Sequence, residues 1–86
     1  MKERPLPADD SPRSLDSLLP LETGTVLQMV EDPDLPSSYL AALGFVPGRA
    51  VTVMQHGPGG RILVVGVDGA KYALSIEVSR RILVKS

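Results

Sequence analysis

The chain's single histidine, His56, stands beside a glycine-proline loop, Gly57-Pro58-Gly59-Gly60. An imidazole can ligate a transition metal or carry a proton, but either task needs partners. There is no cysteine and no second histidine, so a nitrogen- and sulfur-rich cage cannot assemble. His56 therefore reads as a solvated loop residue. Glu31, Asp32 and Asp34 cluster ahead of an apolar segment and could hold a divalent cation weakly through oxygen. The plainer reading is an acidic, solvated loop, and no metal site is expected. The glycine loop runs into Arg61 without the Gly-Lys-Ser/Thr and following helix of a phosphate cradle, so it reads as a turn. Nothing pairs as a matched acid and base. The expectation is a chain with no catalytic residues and no cofactor.

What remains is a chain built for contact. Its 86 residues make at most one domain. A domain of this size hides only about 60% of its unfolded surface, and without cysteine it has no disulfide to help. Nine basic and ten acidic residues give a net charge of −1. That balance argues against binding nucleic acid through phosphate neutralisation and against polybasic attachment to membranes. No apolar run approaches the ~20 residues of a membrane span, and the N-terminus lacks the apolar core of a signal peptide. A cytoplasmic location is expected. Aromatic residues are limited to Tyr39, Phe45 and Tyr72, so the core must be aliphatic.

Residues 1–13 carry Pro5, Pro7, Pro12, Asp9 and Asp10 and read as a disordered tail. Order is expected over residues 14–86. Ser14 to Leu18 suggests one helical turn, stopped by Pro20. Glu22-Thr23-Gly24 reads as a turn. Thr25 to Val30 reads as a strand, with Val26 and Gln28 on one face and Leu27 and Met29 on the other. Pro36 to Leu43 follows as a two-turn helix with Tyr39, Leu40 and Leu43 on one apolar face. So short a helix must be held by packing. Strands are expected over Ala50 to Gln55 (Val51 and Val53 inward, Thr52 and Met54 outward), Arg61 to Val67 and Ala70 to Ser75. Asp68-Gly69 supplies the tight turn between the last two. A single turn over Glu77 to Arg80 precedes a last strand, Ile82-Leu83-Val84.

The most informative stretch is Leu43-Gly44-Phe45-Val46-Pro47-Gly48. Gly44 can take the left-handed conformation that ends a helix. Pro47 presets the first corner of a turn, and Gly48 tolerates the positive φ of a type II second corner. Helix stop, turn and strand start fall within six residues. Short strands at this spacing indicate a mainly β fold: a small five- to six-stranded barrel with one short helix after the first strand.

With Leu40-Ala41-Ala42 in front of it, this motif resembles the signature of the FeoA family. Ser14-Leu15, Leu18, Gly24, Val51-Thr52-Val53, Gly57-Pro58-Gly59, Tyr72-Ala73-Leu74 and Ile82-Leu83-Val84 fall in register with it. The resemblance covers residues 14–86. It departs from the family where Ser37, Ser38 and Tyr39 replace the basic residues that commonly precede the leucine pair. The resemblance implies an SH3-like barrel and a non-enzymatic accessory role in bacterial ferrous iron uptake, with a FeoB-type membrane permease as partner on the cytoplasmic side. The same barrel implies an alternative, a stand-alone module like the C-terminal domain of iron-dependent repressors, although no DNA-binding domain precedes it here. Polyproline recognition would need an aromatic-lined groove, and three aromatics are too few. Tyr39, Leu40, Phe45 and Met54 are the candidate partner-binding residues; Leu43, Gly44, Pro47 and Gly48 are the structural motif. Strand-edge self-association is compatible with so apolar a chain.

Overall fold

The computed structural model describes residues 12–34 and 36–85. Six strands form one antiparallel sheet: β1 (Arg13–Ser14), β2 (Thr23–Met29), β3 (Ala50–His56), β4 (Ile62–Val67), β5 (Ala70–Ser75) and β6 (Ile82–Lys85). Their spatial order is β1-β6-β2-β3-β4-β5. Two short helices, α1 (Ser37–Leu43) and α2 (Ile76–Ser79), sit in the connections, and a 3₁₀ turn spans Leu15–Ser17. Most of the chain's strands and turns are where the sequence puts them. The extra strand is β1, which makes α1 follow the second strand. Of the tail expected over residues 1–13, residues 1–11 lie outside the described residues. Arg13 belongs to the fold: it pairs with Val84 and its guanidinium bonds Glu22 at 3.1 Å.

One aliphatic cluster fills the interior. Val26, Val51, Val53, Leu63, Val65, Val67, Leu74, Ile82 and Val84 come from the strands, and Leu15, Leu18, Leu40 and Phe45 plug the rest. Two β-bulges let the sheet bend around this cluster, one between Val26 and Gln28 and one between Val53 and Gln55. The first overturns the expected alternation of β2. Val26 is buried, Gln28 is exposed, and after the bulge Met29 packs against the core. Glu22-Thr23-Gly24 is likewise not a turn. Thr23 and Gly24 pair with Thr52 and Val51 inside β2.

The β4–β5 hairpin closes on Asp68 and Gly69, with φ of 52° and 81°, the positive pair that a type I′ turn requires. On the N-terminal side, the carboxylate of Glu31 accepts from the Ser37 hydroxyl and from its backbone N–H. A residue six positions back thus caps α1, while Pro36 stays extended just outside it. Asp32 pairs with Arg81 and also accepts from the Asp34 N–H at 2.7 Å. Glu31 and Asp32 therefore serve as struts, joining the loop to α1 and to Arg81, just before β6.

Candidate contact surface

The six-residue motif folds as a two-part clamp. The Gly44 N–H donates to the Ala41 carbonyl (3.0 Å) and the Phe45 N–H donates to the Leu40 carbonyl (3.1 Å). Gly44 itself sits at φ 112°, ψ 0°. This is the Schellman arrangement, and its usual apolar partner contact is present: Leu40 and Phe45 are both buried. The chain then turns through Val46-Pro47-Gly48-Arg49, closed by the Arg49 N–H on the Val46 carbonyl at 3.0 Å, with Gly48 at φ 90°. That is a type II turn. Two further bonds pin it to β2: Gly48 N–H to the Val26 carbonyl (2.8 Å) and Val26 N–H to the Arg49 carbonyl (2.9 Å). A helix of seven residues is thereby locked to the sheet at its C-terminal end.

That lock divides the four candidate contact residues. Leu40 and Phe45 point inward and cannot meet a partner; the Phe45 ring lies 6.0 Å from that of Tyr72, tilted by 55°. Their place in the contact set is corrected accordingly, because the Schellman closure needs their apolar contact inside. Tyr39 is 57% exposed, beside exposed Ser38 and Ala42 on the same outward face of α1. Met54 is half-buried on the outer face of β3. It lines a shallow groove of about 400 Å³, with Ala50, Thr52, Gly66, Ala70 and Lys71. Gly66 leaves this groove open: a Cβ there would lie 3.5 Å from the Met54 sulfur.

The structure adds an apolar feature that sequence reasoning passed over. Leu19 and Leu21 are 69% and 72% exposed. They flank Pro20 in a turn closed by the Glu22 N–H on the Leu19 carbonyl at 2.9 Å. Leu21 stands at φ 71°, where a type II turn favours glycine. A left-handed leucine costs about 1–2 kcal/mol. The turn holds because its base is tied down. Leu21 N–H donates to the Val53 carbonyl, and Val53 N–H donates to the Glu22 carbonyl at 3.0 Å. The local signal was Leu-Pro-Leu itself, a turn proline between two apolar residues. Leu21→Asn, which suits the left-handed region better, is expected to raise the melting temperature by roughly 4–8 °C, the equivalent of about 1 kcal/mol in a small domain. A thermal melt followed by circular dichroism checks this.

Glu22 anchors the same turn. It accepts from the Leu19 N–H at 2.8 Å and faces Arg13. The Leu19 bond, assisted by Arg13, outweighs partial burial and holds its carboxyl below the ordinary value near 4.5. Because the folded value is depressed, this stabilisation is complete above pH 4.5 and is lost as the pH falls through the folded value. Melting temperature measured against pH should therefore decline below pH 4.5, and Glu22→Gln should flatten that part of the curve.

His56 ends β3, and its Nε2 lies 2.9 Å from the Leu18 carbonyl, so it is tied to the 3₁₀ segment although its surface is open. Among the described residues no three His, Cys, Asp or Glu side chains are grouped to hold a metal ion. No described helix is long and apolar enough to cross a membrane.

A family model for the FeoA domain matches residues 13–86, nearly the whole described chain. The chain belongs to the FeoA family. Stenotrophomonas maltophilia FeoA, crystallised with zinc and described as a prokaryotic SH3 domain protein, is 32% identical, with 85% of this chain and 89% of that one covered and a TM-score of 0.70. An iron uptake regulatory protein, FeoA, is 21% identical with a TM-score of 0.75 over 87% of this chain and 97% of its own. A manganese-dependent transcriptional repressor shares the fold at 24% identity and a TM-score of 0.78; 90% of this chain matches 42% of the repressor. No curated protein matches the chain. The fold is thus the SH3-like one of FeoA proteins, and the Leu-Gly-x-x-Pro-Gly motif sits at its helix-to-sheet junction.

Proposed function

We propose that this FeoA protein is a non-enzymatic accessory factor of ferrous iron uptake, acting on the cytoplasmic side by binding a FeoB-type permease and tuning it. The observation that carries the reading is the family match across the whole described domain. The contact residues are Tyr39 on α1 and Met54 on β3. Tyr39 offers an amphipathic ring on a rigid helix, the kind of side chain favoured at interfaces. It is largely exposed and lies outside the buried cluster, so its loss should cost the fold little.

Binding of the purified protein to the permease's cytoplasmic G-protein domain tests this. Tyr39→Ala should weaken binding about tenfold, which is about 1.4 kcal/mol, while the melting temperature stays within a few degrees. A variant that loses stability but keeps its affinity would reverse the assignment. A second reading, a module like the C-terminal domain of metal-dependent repressors, draws on the repressor match. Recovery of a DNA-binding protein rather than a permease in a tagged pull-down would favour it.

A further inference from the structure

The two ends of the sheet are unequal. β1 is two residues long, too short to template another strand. β5 has six residues, all paired with β4 in unbroken register from Val67↔Ala70 to Ile62↔Ser75. The type I′ hairpin makes Val67 and Ala70 the first narrow pair of the ladder. By alternation Ala70, Tyr72 and Leu74 turn their backbone groups towards β4, and Lys71, Ala73 and Ser75 turn theirs outward. Among the described residues, the outward N–H and C=O groups of Lys71 and Ala73 make no hydrogen bond, and Ser75 uses only its carbonyl, which accepts from the Ser79 hydroxyl. The side chains of Lys71, Ala73 and Ser75 are exposed. A long, unbulged, proline-free edge is a template for pairing, and proteins that need to block one usually bend it or charge it. Here the sole charge is Lys71.

We infer that β5 is a self-association edge, on which a second copy pairs antiparallel about a two-fold axis at Ala73. This register sets Lys71 opposite Ser75 and Tyr72 opposite Leu74 of the second copy, with Ala73 facing its own equivalent. Three features select it. It joins the outward-facing residues as three narrow pairs, one more than the register centred on Tyr72. It places an alanine on the axis, so that no bulky or charged side chain meets its own equivalent there. It also keeps Lys71 away from its own equivalent and brings it towards Glu77 of the second copy, in a recess that Arg61 and Arg80 share. The two sheets become one continuous sheet, joined by main-chain hydrogen bonds. The contact is small, so the dimer is a weak one.

Sedimentation of the full chain over a concentration series into the millimolar range reads this directly. The apparent mass should climb towards twice the monomer value. Ala73→Pro removes an outward N–H that β4 does not use, and Ala73→Glu places two carboxylates face to face at the axis; each should leave the mass at the monomer value while circular dichroism stays native. Because the chain has no cysteine, Ala73→Cys gives a clean second reading. Narrow pairs hold their Cα atoms about 5.5 Å apart, within disulfide reach. Oxidation should yield a covalent dimer well above a Gln55→Cys control. A wild-type chain that stays monomeric throughout, self-association that survives Ala73→Glu, or cross-linking at position 73 no greater than at 55 would overturn the inference.

Discussion

Replacing Phe45 by alanine is expected to cost about 3–5 kcal/mol, a large fraction of the stability of so small a domain. A chain of this length has about 4–13 kcal/mol in total. The expected fall in melting temperature is roughly 12–40 °C, large enough to leave a mixture of folded and unfolded chains at ambient temperature. The cause is the position of the ring. Phe45 is the largest fully buried side chain. It closes the Schellman end of α1 against Leu40 and meets Tyr72 at 6.0 Å. Removing it opens a cavity and frees the end of a helix too short to survive alone. Thermal and urea melts of the variant measure this. A drop of only a few degrees would show that the helix is held by its other contacts, above all the Glu31 cap at its start.

Gly24→Val is the second large effect. A Cβ at Gly24 would lie 3.1 Å from the Lys85 carbonyl oxygen and 3.2 Å from two carbons of Val84. The oxygen belongs to the backbone of β6, so relief requires moving the strand. Overpacking of this kind costs about 1–3 kcal/mol, and a valine carries more bulk than a single methyl. The urea midpoint should fall without a change of slope, and Gly24→Ala should show the same loss in smaller measure. Had this glycine been part of a surface turn, as its Glu-Thr-Gly setting suggests, either variant would have been cheap. The measurement therefore separates a glycine kept for close strand approach from one kept for a turn.

Taken together, the two variants bracket what the contact surface rests on. Tyr39 and Met54 can be changed with little effect on folding because their outer atoms meet solvent, whereas Leu40 and Phe45 cannot. A screen that mutated all four candidate residues alike would confuse lost folding with lost binding. The exposed Leu19-Pro20-Leu21 turn is the third place to look, since replacing Leu21 by asparagine is expected to raise stability. That combination makes it suitable for separating contact from fold.

Three of the chain's turns were legible from residue types, because each depends on backbone conformations that a side chain allows or forbids within a few atoms. Gly44 after Leu43, Gly48 after Pro47, and the pair Asp68-Gly69 take the positive φ angles their turn types predict. The inward faces of Val51 and Val53 followed from simple alternation. Other features were decided by neighbours distant in sequence. Gly24 is required by β6, some sixty residues later. The bulges at Val26/Gln28 and Val53/Gln55 arise where a short sheet must curve over its own core. Leu21 is held left-handed by the backbone of Val53, against its own preference. Whether an aromatic residue such as Tyr39 or Phe45 faces solvent or core was settled only when α1 was fastened to the sheet, because two turns of helix carry too few apolar positions to define their own inner face.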